Sequence, residues 1–375
     1  MTVIRQDDFI DSVADALQFI SYYHPVDFVK AVHEAYEREQ NPAAKDAMGQ
    51  ILINSRMCAE GHRPICQDTG IVTVFLKIGM EVQWDATMSV SDMVNEGVRR
   101  AYTNPDNVLR ASILDDPAGA RRNTKDNTPA VIHMEVVAGD TVDVQVAAKG
   151  GGSENKSKLV MLNPSDSIVD WVVKTVPTMG AGWCPPGMLG IGIGGTAEKA
   201  AVLAKESLMD PIDIHELRER GPANRVEELR LEIMEAVNKL GIGAQGLGGL
   251  TTVMDVKIRD YPTHAASLPV AMIPNCAATR HAHFVLDGSG PALQTPPDIN
   301  DWPELTREVS DQVRRVNLDT VTRADVADWL PGDTLLLSGK MLTGRDAAHK
   351  KMKELIDSGV GLPEGVDLKG RFIYY

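Results

Sequence analysis

Residues 131–151 read VIHMEVVAGDTVDVQVAAKGG, and this stretch carries the pattern that decides the fold class. Two runs rich in valine alternate with polar residues, as half-buried strands do, and Ala138-Gly139-Asp140 separates them with turn-forming residues. The pattern predicts a β-hairpin. Upstream, residues 71–79, IVTVFLKIG, are rich in β-branched side chains and predict another strand.

The first 60 residues follow a helical period instead. Their apolar side chains recur at intervals of three and four and so share one helical face: Phe9, Val13, Ala16, Leu17 and Ile20. Further helices are predicted from Pro25, over about residues 43–57 and over residues 89–102, and further strands in LTTVMDVKI, SLPVAMI and AHFVLDG. Together these elements predict a mixed α/β fold of the α+β class.

A change in composition predicts two domains. Residues 288–303, GSGPALQTPPDINDWP, are rich in proline, glycine and polar residues, which is typical of a linker. We therefore predict a large N-terminal domain over residues 1–287, a linker over 288–304 and a smaller α/β domain over 305–375.

The second domain has simple predicted contents: a helix over residues 304–316, a strand over 333–339 and a helix over 343–359. Its terminal apolar run, residues 371–375, resembles a strand without neighbours, and so short a domain has little core of its own. We therefore expect this domain to be the incomplete beginning of a larger one.

The composition of the chain limits which partners it can bind. The chain has 375 residues with 43% hydrophobic content, enough for two cores, and its net charge of −14 argues against nucleic acid and anionic membranes as partners. We find no basic and apolar signal segment, and no apolar run reaches the roughly 18–20 residues that span a bilayer. These features predict a cytoplasmic protein.

Two glycine-rich stretches, residues 190–195 and 241–246, fit the pattern GxGxxG. A dinucleotide-binding fingerprint follows a strand and opens a helix. The first stretch precedes a predicted helix capped by Thr196 but follows the segment WCPPG, and the second follows a helix that ends at Gly241. Dinucleotide binding is therefore disfavoured, and anion binding at the start of the first helix stays open.

Three of the four cysteines share an unusual setting. Cys66, Cys184 and Cys276 each have a proline within two residues, which places them on stiffened loops, whereas Cys58 lies at a predicted helix end and fits a core position. Three converging thiolates suit zinc if a fourth ligand such as His62 or His264 joins them. They also suit a 4Fe–4S cluster, which usually takes four cysteines and with three keeps one iron open as a Lewis acid.

Six motifs then occur in order: PICQDTG, KGGGSENKS, GWCPPGMLGIGIGG, THAASLPVA, PNCAATRHAHFVLDG and SGKMLTGRDAAHK. Together, over nearly the whole chain, they closely resemble the class I (iron–sulfur) fumarate hydratases and the related tartrate dehydratases. The resemblance implies that Cys66, Cys184 and Cys276 bind a 4Fe–4S cluster. It also implies a homodimer and a small C4 dicarboxylate substrate.

The same resemblance implies a set of residues at the substrate: Gln67, Asp68, Arg110, Gly150, Gly151, Gly152, His264 and Arg345. Asp68 and His264 are the expected catalytic residues, and the others are expected to bind substrate. The residue types suit the chemistry, because arginines grip carboxylates, glycine N–H groups stabilise an enolate-like charge, and a carboxylate moves a proton. Simpler roles exist: Asp68 could only close a turn, Arg345 could be a solvated charge and His264 could be a core histidine.

The favoured function is a hydro-lyase that reversibly hydrates fumarate to L-malate. L-tartrate dehydratase is the alternative within the family, and a zinc-stabilised binding module and a nicotinamide-dependent oxidoreductase are the alternatives outside it. Full-length relatives continue past Tyr375 with further substrate residues, so we expect this chain alone to bind a cluster and to turn over poorly.

Overall fold

The computed structural model of the chain describes residues 2–306, 313–344, 346–363 and 365–374. The chain divides into two compact units, Met1–Leu305 and Thr306–Tyr375. Helices and strands both contribute, which confirms the predicted mixed fold of the α+β class. None of the helices in the described ranges combines the length and the apolar character that crossing a membrane requires.

The helices, in chain order, are α1 Gln6–Tyr22, α2 Val26–Arg38, α3 Pro42–Gly61, α4 Val90–Tyr102, α5 Gly151–Glu154, α6 Ile168–Met179, α7 Ala197–Ser207, α8 Ile214–Arg220, α9 Arg225–Asn238, α10 Arg323–Ala327 and α11 Asp346–Asp357. The strands are β1 Val3–Arg5, β2 Ile71–Gly79, β3 Gln83–Asp85, β4 Leu114–Asp115, β5 Arg122–Asn123, β6 Val131–Val137, β7 Val142–Lys149, β8 Lys158–Leu162, β9 Gly187–Gly194, β10 Val253–Tyr261, β11 Leu268–Asn275, β12 His281–Leu286, β13 Arg314–Asn317, β14 Leu335–Ser338, β15 Leu342–Thr343 and β16 Ile373–Tyr374.

The first large sheet has the strand order β12-β7-β2-β6. β7 pairs antiparallel with one side of β2, and β6 pairs parallel with its other side. Both runs of residues 131–151 are therefore strands, as predicted. The predicted hairpin between them is wrong, because β2 lies between the two strands.

The turn that joins β6 to β7 wraps around the end of β2. Gly79 N donates to Thr141 O, and Met80 N donates to Val137 O, both at 2.9 Å. A Cβ on Gly79 would lie only 2.4 Å from the carbonyl oxygen of Gly139, so the turn requires glycine at position 79. Most of β2 is buried, whereas most of β6 is exposed, so the more apolar strand takes the inner position of the sheet.

The second sheet has the order β10-β9-β11-β8, and α7 packs closely against it. The first glycine motif is itself strand β9, which the sequence did not predict. Cβ atoms on Gly190 and Gly192 would lie 2.1 and 1.9 Å from the carbonyl oxygens of Ala204 and Ala200 in α7. Close helix–sheet packing therefore accounts for these glycines. The predicted cap of α7, Thr196, makes no side-chain capping hydrogen bond.

Helices cover both sheets of the first unit. α1 and α4 bury an aliphatic core against the first sheet, with Phe9, Val13 and Leu17 at 2% exposure or less. α6, α8 and α9 form a second core against β9, β10 and β11, while α7 covers the opposite face of that sheet. α2 and α3 form a third core that includes Ala277 and Trp302.

A buried ionic cluster ties α9 to the second sheet. Asp255 is fully buried, and its carboxylate accepts from Lys257 Nζ at 2.6 Å and from Arg230 Nη2 at 3.0 Å. Asp213 binds both of these cations from the other side. Two carboxylates thus balance two cations, which is the condition under which buried charges are tolerated.

Residues 288–304, the predicted linker, belong to the first unit and pack against its helices α1 and α3. Ala292 N donates to Ser12 Oγ of α1 at 2.8 Å. Trp302 is only 2% exposed, and its indole N–H donates to Ser55 Oγ of α3 at 2.7 Å.

In the second unit, β13 pairs with β14 and β15 pairs with β16, both in parallel. β14 and α11 lie where a strand and a helix were predicted. Residues 314–316, predicted as the end of a helix, form strand β13, in which Val316 is buried between exposed neighbours. The local helical pattern was overridden there by pairing with β14. The preceding residues 307–312 of that predicted helix lie outside the described residues.

Candidate active site

The segments that carry Cys66, Cys184, Cys276 and the glycines at 150–152 meet at one end of the two sheets. Cys66 lies just before β2, and residues 149–152 follow β7, which runs antiparallel to β2, so both segments reach the same edge. Cys184 lies just before β9, and Cys276 directly follows β11, which runs antiparallel to β9. The strand pairing thus brings three loops that are distant in the chain towards one place.

Asp68 joins the Cys66 loop to the glycine segment. One carboxylate oxygen, Oδ1, accepts from Gly70 N at 3.1 Å and closes the turn of its own loop. The other, Oδ2, accepts from Gly151 N at 2.7 Å. The glycine segment in turn contacts the Cys184 loop, because a Cβ on Gly152 would lie 3.0 Å from the carbonyl oxygen of Gly182.

Two further contacts close the ring. Ala277 N donates to Cys184 O at 3.0 Å, which joins the Cys276 loop to the Cys184 loop. Arg280 Nη1 donates to Asp68 O at 2.6 Å, which joins the segment after Cys276 back to the Cys66 loop. The three cysteine loops and the glycine segment are therefore held in one closed ring of contacts, which we call the loop ring.

The three cysteines of the ring are more accessible than Cys58. Cys184 is exposed, Cys66 and Cys276 are partly exposed, and Cys58 is buried in α3, as expected for a core cysteine. Burial raises the pKa of the Cys66 thiol, which donates to Gln67 Oε1 at 3.2 Å. Within the described ranges, no three His, Cys, Asp or Glu side chains are grouped closely enough to hold a single metal ion.

Of the expected substrate residues, Gln67, Asp68, Arg110, Gly150 and Gly151 lie at the loop ring. The side chain of Arg110 is exposed, and its carbonyl oxygen accepts from Thr69 Oγ1 of the Cys66 loop at 2.5 Å. The N–H of Gly151 is directed at Asp68, so this donor is engaged within the protein.

His264 lies elsewhere. It precedes β11, whereas Cys276 follows β11, and the seven steps of about 3.3 Å between the first and last residues of this strand separate its two ends by roughly 23 Å. The exposed His264 lines a cavity of about 880 Å³ together with Lys77, His133 and Tyr261, away from the loop ring. Arg345 lies outside the described residues.

A buried hydrogen-bond chain that the sequence did not reveal supports the Cys276 loop. Trp302 Nε1 donates to Ser55 Oγ, which lies 2.7 Å from His24 Nδ1, and His24 Nε2 lies 3.1 Å from Ala277 O. A carbonyl can only accept, so Nε2 carries the proton and Ser55 donates to Nδ1. Burial lowers the pKa of His24 to about 3, which keeps the imidazole neutral.

Lys149 and Arg280 are two buried cations at the loop ring that were not among the predicted site residues. Lys149 begins the motif KGGGSENKS, and Arg280 lies in the motif PNCAATRHAHFVLDG. Lys149 Nζ lies 3.0 Å from Ser153 Oγ and 3.2 Å from Glu154 Oε2, and burial lowers its pKa to about 8. Arg280 is 4% exposed and donates from Nε to Ala148 O at 3.0 Å. In the sequence, these residues are marked only by their position beside a loop that contains glycine or cysteine.

Comparisons with known proteins identify the family of the chain. A family model described as "Fumarate hydratase (Fumerase)" matches residues 10–285, and one described as "Fumarase C-terminus" matches residues 288–375. The chain is 36% identical over 278 residues to a Methanocaldococcus jannaschii protein named "Putative L(+)-tartrate dehydratase subunit alpha", covering 72% of this chain and 95% of that protein.

It is also 33% identical over 341 residues to the anaerobic class I fumarate hydratase of Escherichia coli K12, covering 87% of this chain and 61% of that enzyme. A Geobacillus stearothermophilus protein named "Putative fumarate hydratase class I" is 30% identical over 379 residues, covering 94% of this chain and 70% of that protein. The chain thus spans less than two thirds of the E. coli enzyme. With a family model matched over most of its length, the chain belongs to the fumarate hydratase (fumerase) family.

Proposed function

We propose that this chain is part of a hydro-lyase that binds a 4Fe–4S cluster and reversibly hydrates fumarate to L-malate. The observation that carries the proposal is the loop ring, which gathers Cys66, Cys184 and Cys276 beside Gln67, Asp68 and Arg110. Hydro-lyase chemistry of this family is supported by the relatives' names, and the cluster and the individual substrate are our proposal.

The residues present fit such a cluster. Thiolates are the ligands that iron–sulfur centres take, and three of them reach the ring from stiffened loops. The buried neighbour Arg280 adds a positive charge that suits an anionic, thiolate-bound group. Cys66, Cys184 and Cys276 would hold the cluster, which when bound supplies a Lewis acid for the substrate hydroxyl.

The chain's own groups would bind and orient the substrate. The exposed guanidinium of Arg110 offers paired hydrogen bonds to one carboxylate, and the exposed amide of Gln67 can bind a second polar group. Asp68 is held by two backbone N–H groups and is partly exposed, so its carboxylate has a fixed position beside the ring. It is our candidate for the group that moves the proton.

The substrate assignment rests on how far each resemblance extends. The similarity to class I fumarate hydratases covers 87% and 94% of this chain, including residues that match the fumarase C-terminus. The tartrate dehydratase alpha subunit covers 72%, at higher identity. We therefore place fumarate and malate first and L-tartrate second. A homodimer and a cytoplasmic location stay predictions, which sedimentation and cell fractionation would check.

The test is anaerobic purification of the full chain, with iron, sulfide and the visible spectrum measured before and after reconstitution with ferrous iron and sulfide. We expect a brown protein with about four irons, and spectral changes when malate or fumarate is added that exceed those with L-tartrate. C184S should lose the cluster, whereas C58S, at the buried cysteine of α3, should keep it.

Hydration of fumarate, malate dehydration and tartrate dehydration would then be compared with the same preparation. A larger effect of L-tartrate would favour the second candidate. A colourless protein that binds neither iron nor sulfide on reconstitution would refute the cluster, and equal iron binding by the wild type and C184S would refute the ligand set.

A further inference from the structure

Arg280 is a buried cation whose hydrogen bonds are incomplete. Its Nε donates to Ala148 O at 3.0 Å and its Nη1 to Asp68 O at 2.6 Å, both backbone carbonyls. Its Nη2 is buried and has no hydrogen-bond partner among the residues that the structure describes. Among the described residues, no carboxylate lies within ion-pair distance of this guanidinium, although the whole residue is only 4% exposed.

Such an arrangement is costly unless something else completes it. A buried charge needs an opposite charge, and a buried N–H without an acceptor loses the hydrogen bond that it would make to water in the unfolded chain. The two engaged donors fix the guanidinium plane, so Nη2 has a defined direction. A Cβ on Gly150 would lie 3.7 Å from Nη2 and 3.3 Å from Asp68 Oδ2, which places both groups at the glycine segment of the loop ring.

The arrangement has two candidate acceptors. Arg280 lines a cavity of about 20 Å³, which has room for about one water molecule. The other candidate is the thiolate-bound centre itself, since Arg280 bonds the carbonyl of Asp68, two residues after Cys66. Water carries no net charge, whereas a thiolate-bound centre carries the negative charge that complements a buried guanidinium.

We propose that Arg280 is a positioning residue for the cysteine-bound cluster: it fixes the Cys66 loop through the Asp68 carbonyl and presents Nη2 as a donor to the anionic centre. The inference rests on the proposed function, because it requires the cluster. Hydrogen bonds to cluster sulfurs and nearby positive charge raise the reduction potential, since they stabilise the more negative reduced state.

The experiment compares R280Q and R280K with the wild type, using the full chain reconstituted anaerobically with ferrous iron and sulfide. R99Q is the matched control, because it removes the same charge from the exposed face of α4. Iron and sulfide content, the midpoint potential of the bound cluster and urea unfolding of the cluster-free chain are measured for each protein.

We expect R280Q to shift the one-electron redox equilibrium about tenfold towards the oxidised cluster, which is about 59 mV. R280K should recover part of the shift because it keeps the charge, and R99Q should not differ from the wild type. Loss of the cluster from both Arg280 variants, with unchanged unfolding of the cluster-free chain, would also support the proposal.

Cluster-loaded R280Q with the wild-type potential would overturn the proposal and leave water as the partner of Nη2. Unfolding of both cluster-free Arg280 variants would overturn it as well, since the residue would then act only in the core. If the wild type itself binds no cluster, the proposed function fails, and that result is distinct from a difference between variants.

Discussion

Replacing Ser55 by alanine probes the buried hydrogen-bond chain beneath the Cys276 loop. The change removes one hydroxyl and little volume, but it leaves Trp302 Nε1 and His24 Nδ1, each 2.7 Å from Ser55 Oγ, without a partner. Each unsatisfied buried polar atom costs about 1–3 kcal/mol. Small shifts of the two rings recover part of this cost, so we expect S55A to lower the unfolding free energy by about 2–4 kcal/mol.

Urea unfolding of the cluster-free chain, followed by tryptophan fluorescence and circular dichroism, measures this difference. S157A is the control, because the Ser157 hydroxyl is also buried but has no partner to lose within the described part of the chain. We expect S157A to change the unfolding free energy by less than about 0.5 kcal/mol. If S55A proves as stable as S157A, the hydrogen-bond chain makes no net contribution to stability and the reasoning is refuted.

Three further predictions concern stability. His24 is neutral in the folded chain, because burial lowers its pKa to about 3. Its contribution to the unfolding free energy is therefore complete above about pH 6.5. Below that pH the unfolded chain takes up a proton that the folded chain cannot, so stability is lost at up to about 1.4 kcal/mol per pH unit as the pH falls towards 3. Unfolding of H24Q between pH 7 and 4 should show a shallower slope, and an unchanged slope would contradict the assignment. D255N should lower the unfolding free energy by about 3–5 kcal/mol, because the two buried cations that Asp255 neutralises would lose its negative charge. E235Q, which removes one charge of an exposed ion pair, should have a small effect by comparison. Similar losses in the two variants would argue against the buried ionic cluster. G192A should lower the unfolding free energy by at least about 1–3 kcal/mol, because the added methyl group forces α7 away from its sheet. G61A in α3 has room for its methyl group and should be neutral or stabilising in the same urea unfolding of the cluster-free chain.

The periodic segments of the fold could be predicted from the sequence because their signal is local. The face of α1 depends on the helical spacing of its apolar residues, and strands β2, β10, β11 and β12 depend on the composition and alternation of neighbouring residues. The structure confirms these elements. The predicted hairpin was wrong because the order of strands in a sheet is not a local property of the sequence. Alternation identifies β6 and β7 as strands but contains nothing about which strand lies between them, and that depends on residues 71–79, far upstream.

The candidate site also combines local features that the sequence reveals with contacts between distant residues that it does not reveal. Prolines beside Cys66, Cys184 and Cys276 mark loops, which is a local property, and the family motifs supply their expected roles. The contacts that close the loop ring are mostly made by backbone atoms, which any residue possesses, so no residue pattern announces them. His24 lies more than two hundred residues from its partner Ala277, and it stands in an ordinary helix connection without any local signal.

The position of β2 between β6 and β7 also bears on how the first sheet forms. An isolated hairpin of residues 131–149 would close within about 1–10 μs, faster than any pairing with a distant strand. That hairpin is not a native structure here, so it would compete with folding and would have to open before β2 could enter. Gly79 then has a kinetic as well as a structural importance, since the connecting turn can settle over the end of β2 only where no side chain blocks it.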